Sequence, residues 1–456
     1  MSDIAGSVAS VLFWFLAGAA LIAPPRWALF SYLLLTQIDL SAADFSSAST
    51  LGWDNTFRIV VIPTILLLRF RGKAALPAMP AGISRWWLLF VADVAITALW
   101  SPFPLSALKM VGYLYCSSVL FILFRCAWAQ SWFSVRFLIA NLAAALGIAA
   151  VQTYVLGSLQ SSEGRLTSFD SPQTFAAYLI SIAAIVWFAN EEGMLRWFAL
   201  VAAAVGIVLT GSRYVLIGFG MLIMLSFFRQ WFEQGAAARL RALALRALYV
   251  SVAILLLVML LVRFAPENRL NELVSYASTG SSSYEDVGTF AWRVLLYEEA
   301  INQLMDRSVT GLLFGSGTSS AGNIKVDVYS ADFTPEDVDA NRSMHDEFLR
   351  AIYEWGIVGL VLLLGLLVST FLFCWRMAKT TKKAQALTYI VLFPTILLGL
   401  GVENILANAG HPAVTGYLLA LTFSIATPSW VQSLPATARS PMLVGAAEAS
   451  LKPGFQ

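Results

Sequence analysis

The sequence predicts an all-α integral membrane protein with about twelve transmembrane helices and one large helical extracytoplasmic loop. Three observations predict this fold class. Of the 456 residues, 59% are hydrophobic and only 12% are charged, which is roughly half the charged fraction of a soluble domain. Apolar runs close to the ~20 residues that a spanning helix needs recur along the chain. Finally, fourteen of the 27 acidic residues lie in the single stretch 265–350.

The apolar runs define the transmembrane elements in order. Pro24 and Pro25 interrupt the first long run, so residues 7–40 form either two tilted helices or a bent hairpin. Eight further runs follow before residue 265, and three follow residue 350. Several are short, so the expected number of spans is about twelve. The candidate spans are 7–23, 26–40, 57–70, 86–100, 107–124, 133–157, 173–189, 195–210, 213–228, 246–264, 352–375, 384–406 and 411–427.

The distribution of Lys and Arg in the loops predicts the orientation. Basic residues cluster within 69–85, 229–246 and 376–383, and such clusters favour the cytoplasmic side. The sequence then divides into an N-terminal transmembrane bundle of about ten spans (1–264), a large periplasmic loop subdomain (265–350), C-terminal transmembrane helices (351–428) and a disordered cytoplasmic tail (429–456). Thirteen spans place the N-terminus outside, whereas a cytoplasmic N-terminus requires one span fewer, and both alternatives remain open.

The long loop carries its own structural signals. TFAWRVLLYEEAINQLM has the pattern of an amphipathic helix, FGSGTSS reads as a glycine-rich turn, and NRSMHDEFLRAIYEW predicts a second helix that runs into the next span. Structureless loops of this length are uncommon in compact proteins. We therefore expect a small extracytoplasmic subdomain.

Composition excludes several classes of site. The three cysteines lie in or beside apolar runs and the chain has only two histidines, so neither a disulfide framework nor a zinc cluster is indicated. No nucleotide-binding fingerprint is present. The first apolar run lacks the basic flank of a cleavable signal peptide. We expect no metal ion, no cofactor and no nucleic-acid partner.

Three arginines lie at the predicted outer membrane edge or in outward loops. Arg165 is in EGRLTSFDSPQTFAAYL, Arg213 is in the short turn of VLTGSRYVLIG, and Arg293 is in GTFAWRVLLYEEA of the large loop. Arginine at the hydrocarbon boundary is costly unless it snorkels or meets an anion. For each arginine alone, snorkelling or capping remains an alternative. Three on one side of the membrane favour a site for pyrophosphate, whose oxygens suit guanidinium groups.

His345 lies where a polar loop meets an apolar helix. An imidazole with an ordinary pKa of about 6.5 is suited to act as a general base, and a solvated or helix-capping histidine is the alternative. Arg342 lies one turn earlier as a candidate supporting residue. Asp346 is spaced to pair with Arg350 on a helix surface. Successive helical residues diverge by about 100°, so His345, Asp346 and Glu347 are not expected to bind one metal ion.

A second polar set lies at the end of the next-to-last span, in GVENILANAGHP. Glu403 is its acidic member, and an intramembrane glutamate is by default a functional hypothesis. A hydrogen bond that packs two helices together is the alternative. The other members are Asn404, Asn408 and His411.

Four segments between about residues 160 and 365 share the order and pattern of a known family. RLTSFDSPQTFAAYL matches an arginine followed by F-x-N-P-N-x-x-A-x-Y-L, and LTGSR matches L-T-x-S-R. Arg293 with the later FGSG matches R-x-x-x-W … P-x-x-G-x-G, and MHDEFLRAIYEWGIVGL matches H-N-x-x-L-x-x-x-x-E-x-G-x-x-G. The set resembles the O-antigen ligase/polymerase superfamily of bacterial envelope enzymes. Asp346 replaces a common asparagine, SPQ replaces NPN, and Trp292 precedes Arg293 rather than following it.

The resemblance implies an inverting, metal-independent glycosyltransferase of the bacterial inner membrane with its active site facing the periplasm. The donor is a glycan on undecaprenyl diphosphate, bound by Arg213, Arg165 and Arg293. His345 deprotonates or orients the acceptor hydroxyl, with Arg342, Asp346, Glu347 and Glu403 as supporting residues. Expected partners are the lipid-linked oligosaccharide, a glycan or lipid A–core acceptor, membrane lipids and a chain-length regulator protein. Aromatic side chains that could stack on an acceptor sugar are Tyr276, Tyr284, Tyr329 and Phe333.

Three functional interpretations remain open. The first is a polymerase of O-antigen or exopolysaccharide repeats, which the acidic loop slightly favours, or a ligase that joins polymer to lipid A–core. The second is a transporter of a lipid-linked or anionic solute, for which no internal repeat is found. The third is a non-catalytic scaffold of an envelope synthesis complex.

Overall fold

The computed structural model describes residues 2–38, 56–71, 80–155, 165–168, 171–189, 194–233, 289–328, 344–381, 384–403, 405–406 and 412–425. The described residues are almost entirely helical and contain no strand, which confirms the all-α prediction. The α-helices are α1 Ser2–Ile22, α2 Pro25–Leu35, α3 Ile62–Arg71, α4 Ala81–Thr97, α5 Pro104–Ala129, α6 Val135–Ala150, α7 Pro172–Phe188, α8 Met194–Thr210, α9 Arg213–Glu233, α10 Thr289–Met305, α11 Val309–Phe314, α12 Gly322–Val328, α13 Glu347–Thr381, α14 Ala384–Val402 and α15 Pro412–Ile425.

The predicted spans correspond closely to these helices. The proline pair separates α1 from α2, with Pro25 at the first helical position, where its missing N–H costs nothing. Within the part of the chain that the structure describes, five helical stretches are long and apolar enough to cross a membrane, and five shorter apolar helices accompany them. The total of about twelve spans stays a prediction. The described candidates are Ala81–Trp100, Pro104–Ala129, Val135–Val155, Glu347–Lys379 and Gln385–Val402.

The core of the bundle is built around α7. Every residue from Thr174 to Phe188 is buried, because α6, α8, α14 and α15 pack around this helix. Gly416 of α15 lies so close that a Cβ there would stand 3.0 Å from the Cα of Tyr178. Small residues at such crossings allow apolar helices to approach closely.

A second, smaller core joins α10, α12 and the start of α13. It contains Leu296 and Ala300 from α10, Ile324 from α12, and Met344 and Tyr353 from the polar–apolar junction. The helix predicted from TFAWRVLLYEEAINQLM is confirmed as α10. The position of this subdomain outside the cytoplasm stays a prediction.

The FGSG turn docks against a kink in α13. Gly356 has φ 68° within the helix, and Gly315 has φ 72° in the turn. A Cβ on Gly315 would lie 2.2 Å from the Glu354 carbonyl oxygen, so only glycine fits. The kink leaves carbonyl groups without helical partners. The turn supplies them, because Ser316 N donates to Tyr353 O (3.1 Å) and Gly317 N to Glu354 O (2.9 Å).

Some predicted elements lie outside the described residues. They are the span at 246–264 and the tail at 429–456, together with residues 265–288 and 329–343 of the long loop. The four-part division of the chain therefore stays a prediction.

Candidate active site

Arg165 lies over the turn that carries Arg213. This turn joins α8 to α9, and Gly211 takes φ 64° within it. A Cβ on Gly211 would lie 3.5 Å from Arg165 Nε, and the backbone N–H of Leu166 donates to Leu209 O at 2.9 Å. The first two sequence-predicted arginines are therefore brought to one corner of the bundle.

The segment that carries Arg165 is fixed by buried polar side chains. Thr167 N donates to Thr153 Oγ1 (3.0 Å), and Ser168 Oγ donates to Gln37 O (2.9 Å). Gln152 Nε2 donates to the same Gln37 carbonyl oxygen at 3.0 Å. Gln37, Gln152 and Ser168 are all buried. Hydrogen bonds in such surroundings hold an irregular segment firmly, because breaking them leaves buried groups unsatisfied.

Tyr214 connects this corner to the end of α14. It directly follows Arg213, and its hydroxyl donates to Gln173 O at 3.3 Å. Its ring lies against Gly399, and it interacts electrostatically with Glu403. The helix that begins at Arg213 thus faces the polar end of α14.

Arg293 of α10 meets the same end of α14. Its Nη1 donates to Val402 O at 3.2 Å, and its Nη2 lies 3.7 Å from Glu403 Oε1. Burial raises the pKa of Glu403 to about 7, and the Arg293 guanidinium opposes that rise. Glu403 therefore lies next to Arg293, and its role as a supporting residue stays a prediction.

His345 lies beside the same helix α10. Its backbone has φ 52°, a left-handed conformation that is uncommon outside glycine. The hydroxyl of Tyr297 donates to His345 O at 3.2 Å. Tyr297 also interacts electrostatically with Asp346, Arg293 and Glu403. Tyr297 thus links the helix that carries Arg293 to the backbone of His345.

Asp346 caps α13 and does not pair with Arg350. Its Oδ1 accepts from Phe348 N (2.9 Å) and Leu349 N (2.8 Å), which are otherwise unpaired at a helix start. The predicted pairing is wrong because the carboxylate is turned back onto its own helix end. Burial raises the pKa of Asp346, and the two N–H donors oppose the rise.

Arg350 instead belongs to a buried ion cluster. Its Nη1 lies 3.3 Å from Glu347 Oε2 and its Nε 3.2 Å from Glu354 Oε1, and all three side chains are inaccessible. Glu347 Oε1 also accepts from Leu406 N at 2.7 Å. Glu347 therefore supports the site by tying the start of α13 to residues 405–406.

The remaining sequence candidates lie outside the described residues. They are Arg342, Asn404, Asn408, His411 and the four aromatic residues of the long loop. Within the described ranges, no group of three His, Cys, Asp or Glu side chains could hold a metal ion.

The sequence reasoning missed two tyrosines. Tyr214 immediately follows Arg213, and Tyr297 lies four residues after Arg293 and hence on the same helix face. That spacing is the signal that could have identified Tyr297. The hydrogen bond to His345 could not be read from the sequence, because it depends on how α10 packs against the start of α13.

The elements that carry the predicted arginines and His345 contact one another. The sequence of contacts runs from Arg165 to the turn before Arg213, from Tyr214 to Glu403, and from Glu403 to Arg293. Tyr297, on the helix of Arg293, then bonds to the backbone of His345. Arginine binds phosphate oxygens in a fork that lysine does not reproduce. An imidazole within hydrogen-bond reach of an incoming hydroxyl can accept its proton.

Comparison with known protein families gives a match over part of the chain. Residues 198–364 match the family described as O-Antigen ligase, and this range contains Arg213, Arg293 and His345. No curated protein matches the chain. The matched range ends shortly after the Gly356 kink and includes α9 to α12 among the described helices. The match supports the membership of this chain in the O-antigen ligase/polymerase superfamily.

Proposed function

We propose that the protein transfers a glycan from a polyprenyl-diphosphate donor, undecaprenyl diphosphate, to an acceptor hydroxyl at the periplasmic face of the inner membrane. The matched family points to a glycosyltransferase-type enzyme. One observation supports the proposal further: contacts made by Gly211, Tyr214, Glu403 and Tyr297 link the elements that carry Arg165, Arg213, Arg293 and His345. A lipid-linked diphosphate needs cations at such a polar–apolar boundary.

The arginines are assigned to the diphosphate. As the bond between the anomeric carbon and the diphosphate oxygen breaks, its electron pair passes to that oxygen. Negative charge therefore grows on the leaving group, and fixed guanidinium groups stabilise it most in the transition state. Arg293 is suited to this role because its side chain is a quarter exposed and is held by Val402 O and Glu403.

His345 is assigned to the acceptor. Its imidazole accepts the proton of the acceptor hydroxyl as the oxygen attacks the anomeric carbon. Direct displacement inverts that carbon and releases polyprenyl diphosphate, and the imidazolium then returns its proton to solvent. The step needs no metal ion and no cofactor.

Two acceptors are proposed. The acidic loop favours a polymerase, in which the acceptor is another repeat unit of O-antigen or exopolysaccharide. The description of the matched family favours a ligase, in which lipid A–core accepts the polymer. Deleting the gene distinguishes them: a single capped repeat left on the core indicates a polymerase, and uncapped core with accumulated lipid-linked polymer indicates a ligase.

The direct test uses the purified full-length chain in lipid nanodiscs. A polyprenyl-diphosphate oligosaccharide serves as donor, and a second lipid-linked repeat or lipid A–core serves as acceptor. We expect His345→Ala to lower the transfer rate by about 10²–10⁴-fold with an unchanged thermal midpoint. Full activity in this variant overturns the base assignment. Absence of transfer by the wild type to either acceptor overturns the enzyme proposal and leaves the transporter or the scaffold.

A further inference from the structure

The backbone at His345 requires support from its neighbours. A φ of 52° places a non-glycine residue in the left-handed region, which is unfavourable for an L-residue because its Cβ comes too close to the following carbonyl oxygen. Such a conformation persists only when surrounding contacts fix it, and these residues concentrate at functional sites. The relevant question is therefore which contacts fix His345.

The residues on either side of His345 are anchored separately. Met344 is buried in the small core with Leu296 and Ala300 of α10. Asp346 caps α13 through Phe348 N and Leu349 N. These anchors fix the chain before and after His345 but make no bond to its own peptide group.

Tyr297 supplies a bond to His345 itself. Its hydroxyl donates to His345 O at 3.2 Å, while its ring packs against the small core. Burial, followed by the charge of Asp346, raises the pKa of Tyr297 to about 12. The hydroxyl therefore keeps its proton at physiological pH and remains a donor.

The same side chain relates His345 to Arg293. Tyr297 lies four residues after Arg293, so both project from one face of α10. Arg293 is fixed in turn by Val402 O and Glu403. One face of α10 thus carries Arg293, which is assigned to the diphosphate, and Tyr297, which bonds to the backbone of His345, the candidate base.

We propose that Tyr297 is a positioning residue that holds His345 in register with Arg293 during glycan transfer. The inference rests on the proposed function, and it assigns Tyr297 no contact with the substrate. A base displaced by about 1 Å can lose as much as 10²-fold in rate, so one hydroxyl group can have a large effect on the chemical step.

The test is Tyr297→Phe, which keeps the ring and removes the hydroxyl. We expect kcat to fall by about 10-fold or more while the KM for the lipid-linked donor stays within about 2-fold, because binding energy is untouched. The matched control is Tyr353→Phe. Tyr353 lies in the same small core, and its hydroxyl donates to Gln303 Oε1 rather than to His345. The kcat of Tyr353→Phe should therefore stay near that of the wild type.

A second measurement separates positioning from a general structural effect. In single-turnover assays, Tyr297→Phe is combined with His345→Ala. If Tyr297 acts through His345, the double variant has the residual rate of His345→Ala within about 2-fold. An unchanged kcat in Tyr297→Phe, an equal loss in Tyr353→Phe, or a further loss in the double variant overturns the inference. Full activity of His345→Ala overturns instead the base assignment on which the inference rests.

Discussion

Two clusters of arginine and glutamate lie close together in this protein and differ in exposure. In the buried cluster, Glu347, Arg350 and Glu354 have fully inaccessible side chains and approach to 3.3 and 3.2 Å. In the accessible pair, Arg293 and Glu403 have side chains 25% and 17% exposed and approach to 3.7 Å. The same residue types therefore occur once fully buried and once partly exposed.

The difference in exposure corresponds to a difference in what each cluster can do. Charges that are buried away from water must be paired, so the side chains of the buried cluster hold one another in fixed positions. A partly exposed arginine in a longer ion pair can exchange its carboxylate partner for an anionic ligand. Glu347 connects the two, since it accepts a hydrogen bond from Leu406 N, three residues after Glu403. The buried cluster thus contacts the segment that follows Glu403, the acidic member of the accessible pair.

The largest expected effect comes from breaking the buried cluster. Arg350→Met removes the guanidinium that lies between Glu347 and Glu354, and both carboxylates stay buried without it. Breaking one partner of a buried ion pair costs about 3–5 kcal/mol. We expect a loss of that size in the free energy of unfolding, measured by denaturation in detergent micelles.

The matched control is Arg376→Met on the same helix. The Arg376 side chain is exposed, so this variant should change the free energy of unfolding by no more than about 0.5 kcal/mol. Equal stability of Arg350→Met and Arg376→Met would contradict the role given to the buried cluster.

The second prediction concerns the accessible pair and pH. Burial raises the pKa of Glu403 from 4.5 to about 7, so the folded chain holds a proton there that the unfolded chain releases. Stability from this group is complete below about pH 4.5 and is lost as pH rises through 7. The difference in unfolding free energy between wild type and Glu403→Gln should therefore fall from pH 5 to 7, by at most ~1.4 kcal/mol per pH unit.

Arg293→Met provides the control for that pH dependence. The Arg293 guanidinium opposes the rise in the pKa of Glu403, so its removal raises this pKa further. The pH range over which stability is lost should then extend above 7. If the wild type and Glu403→Gln have parallel stability curves across pH 5 to 8, the accessible pair does not titrate as described.

The sequence predicted those parts of the fold that depend on local pattern. TFAWRVLLYEEAINQLM is the helix α10, because amphipathic spacing alone determines it. The glycine-rich turn was also recognisable in FGSG. The kink at Gly356 was not, because its free carbonyl groups are satisfied by Ser316 and Gly317, about forty residues earlier. That compensation is a tertiary contact without a local signal.

In the candidate site, too, the sequence predicts single residues from local pattern but does not predict their tertiary contacts. Arg165, Arg213, Arg293 and His345 could be chosen from motif and position, and contacts of neighbouring residues link the elements that carry them. The burial of Glu347 could not be predicted, because its partner Leu406 is remote in sequence. The spacing of Asp346 and Arg350 suggested a pair, but Arg350 has better-placed carboxylates three residues before it and four after it.

The smallest expected effect concerns Asp346, the acid that belongs to neither cluster. Its Oδ1 accepts from Phe348 N and Leu349 N, and an asparagine Oδ1 can accept the same two bonds. Asparagine and aspartate are nearly equal as helix caps, whereas alanine costs about 1 kcal/mol. Asp346→Asn should therefore retain stability within about 0.5 kcal/mol and transfer activity within about 2-fold, as measured by denaturation and the nanodisc assay. Asp346→Ala should lose about 1 kcal/mol of stability.

A large loss of transfer in Asp346→Asn alone would mean that the charge of Asp346 acts in the reaction. The residue would then join the accessible pair, and the aspartate that replaces the family's usual asparagine would be a difference in chemistry rather than an equivalent cap.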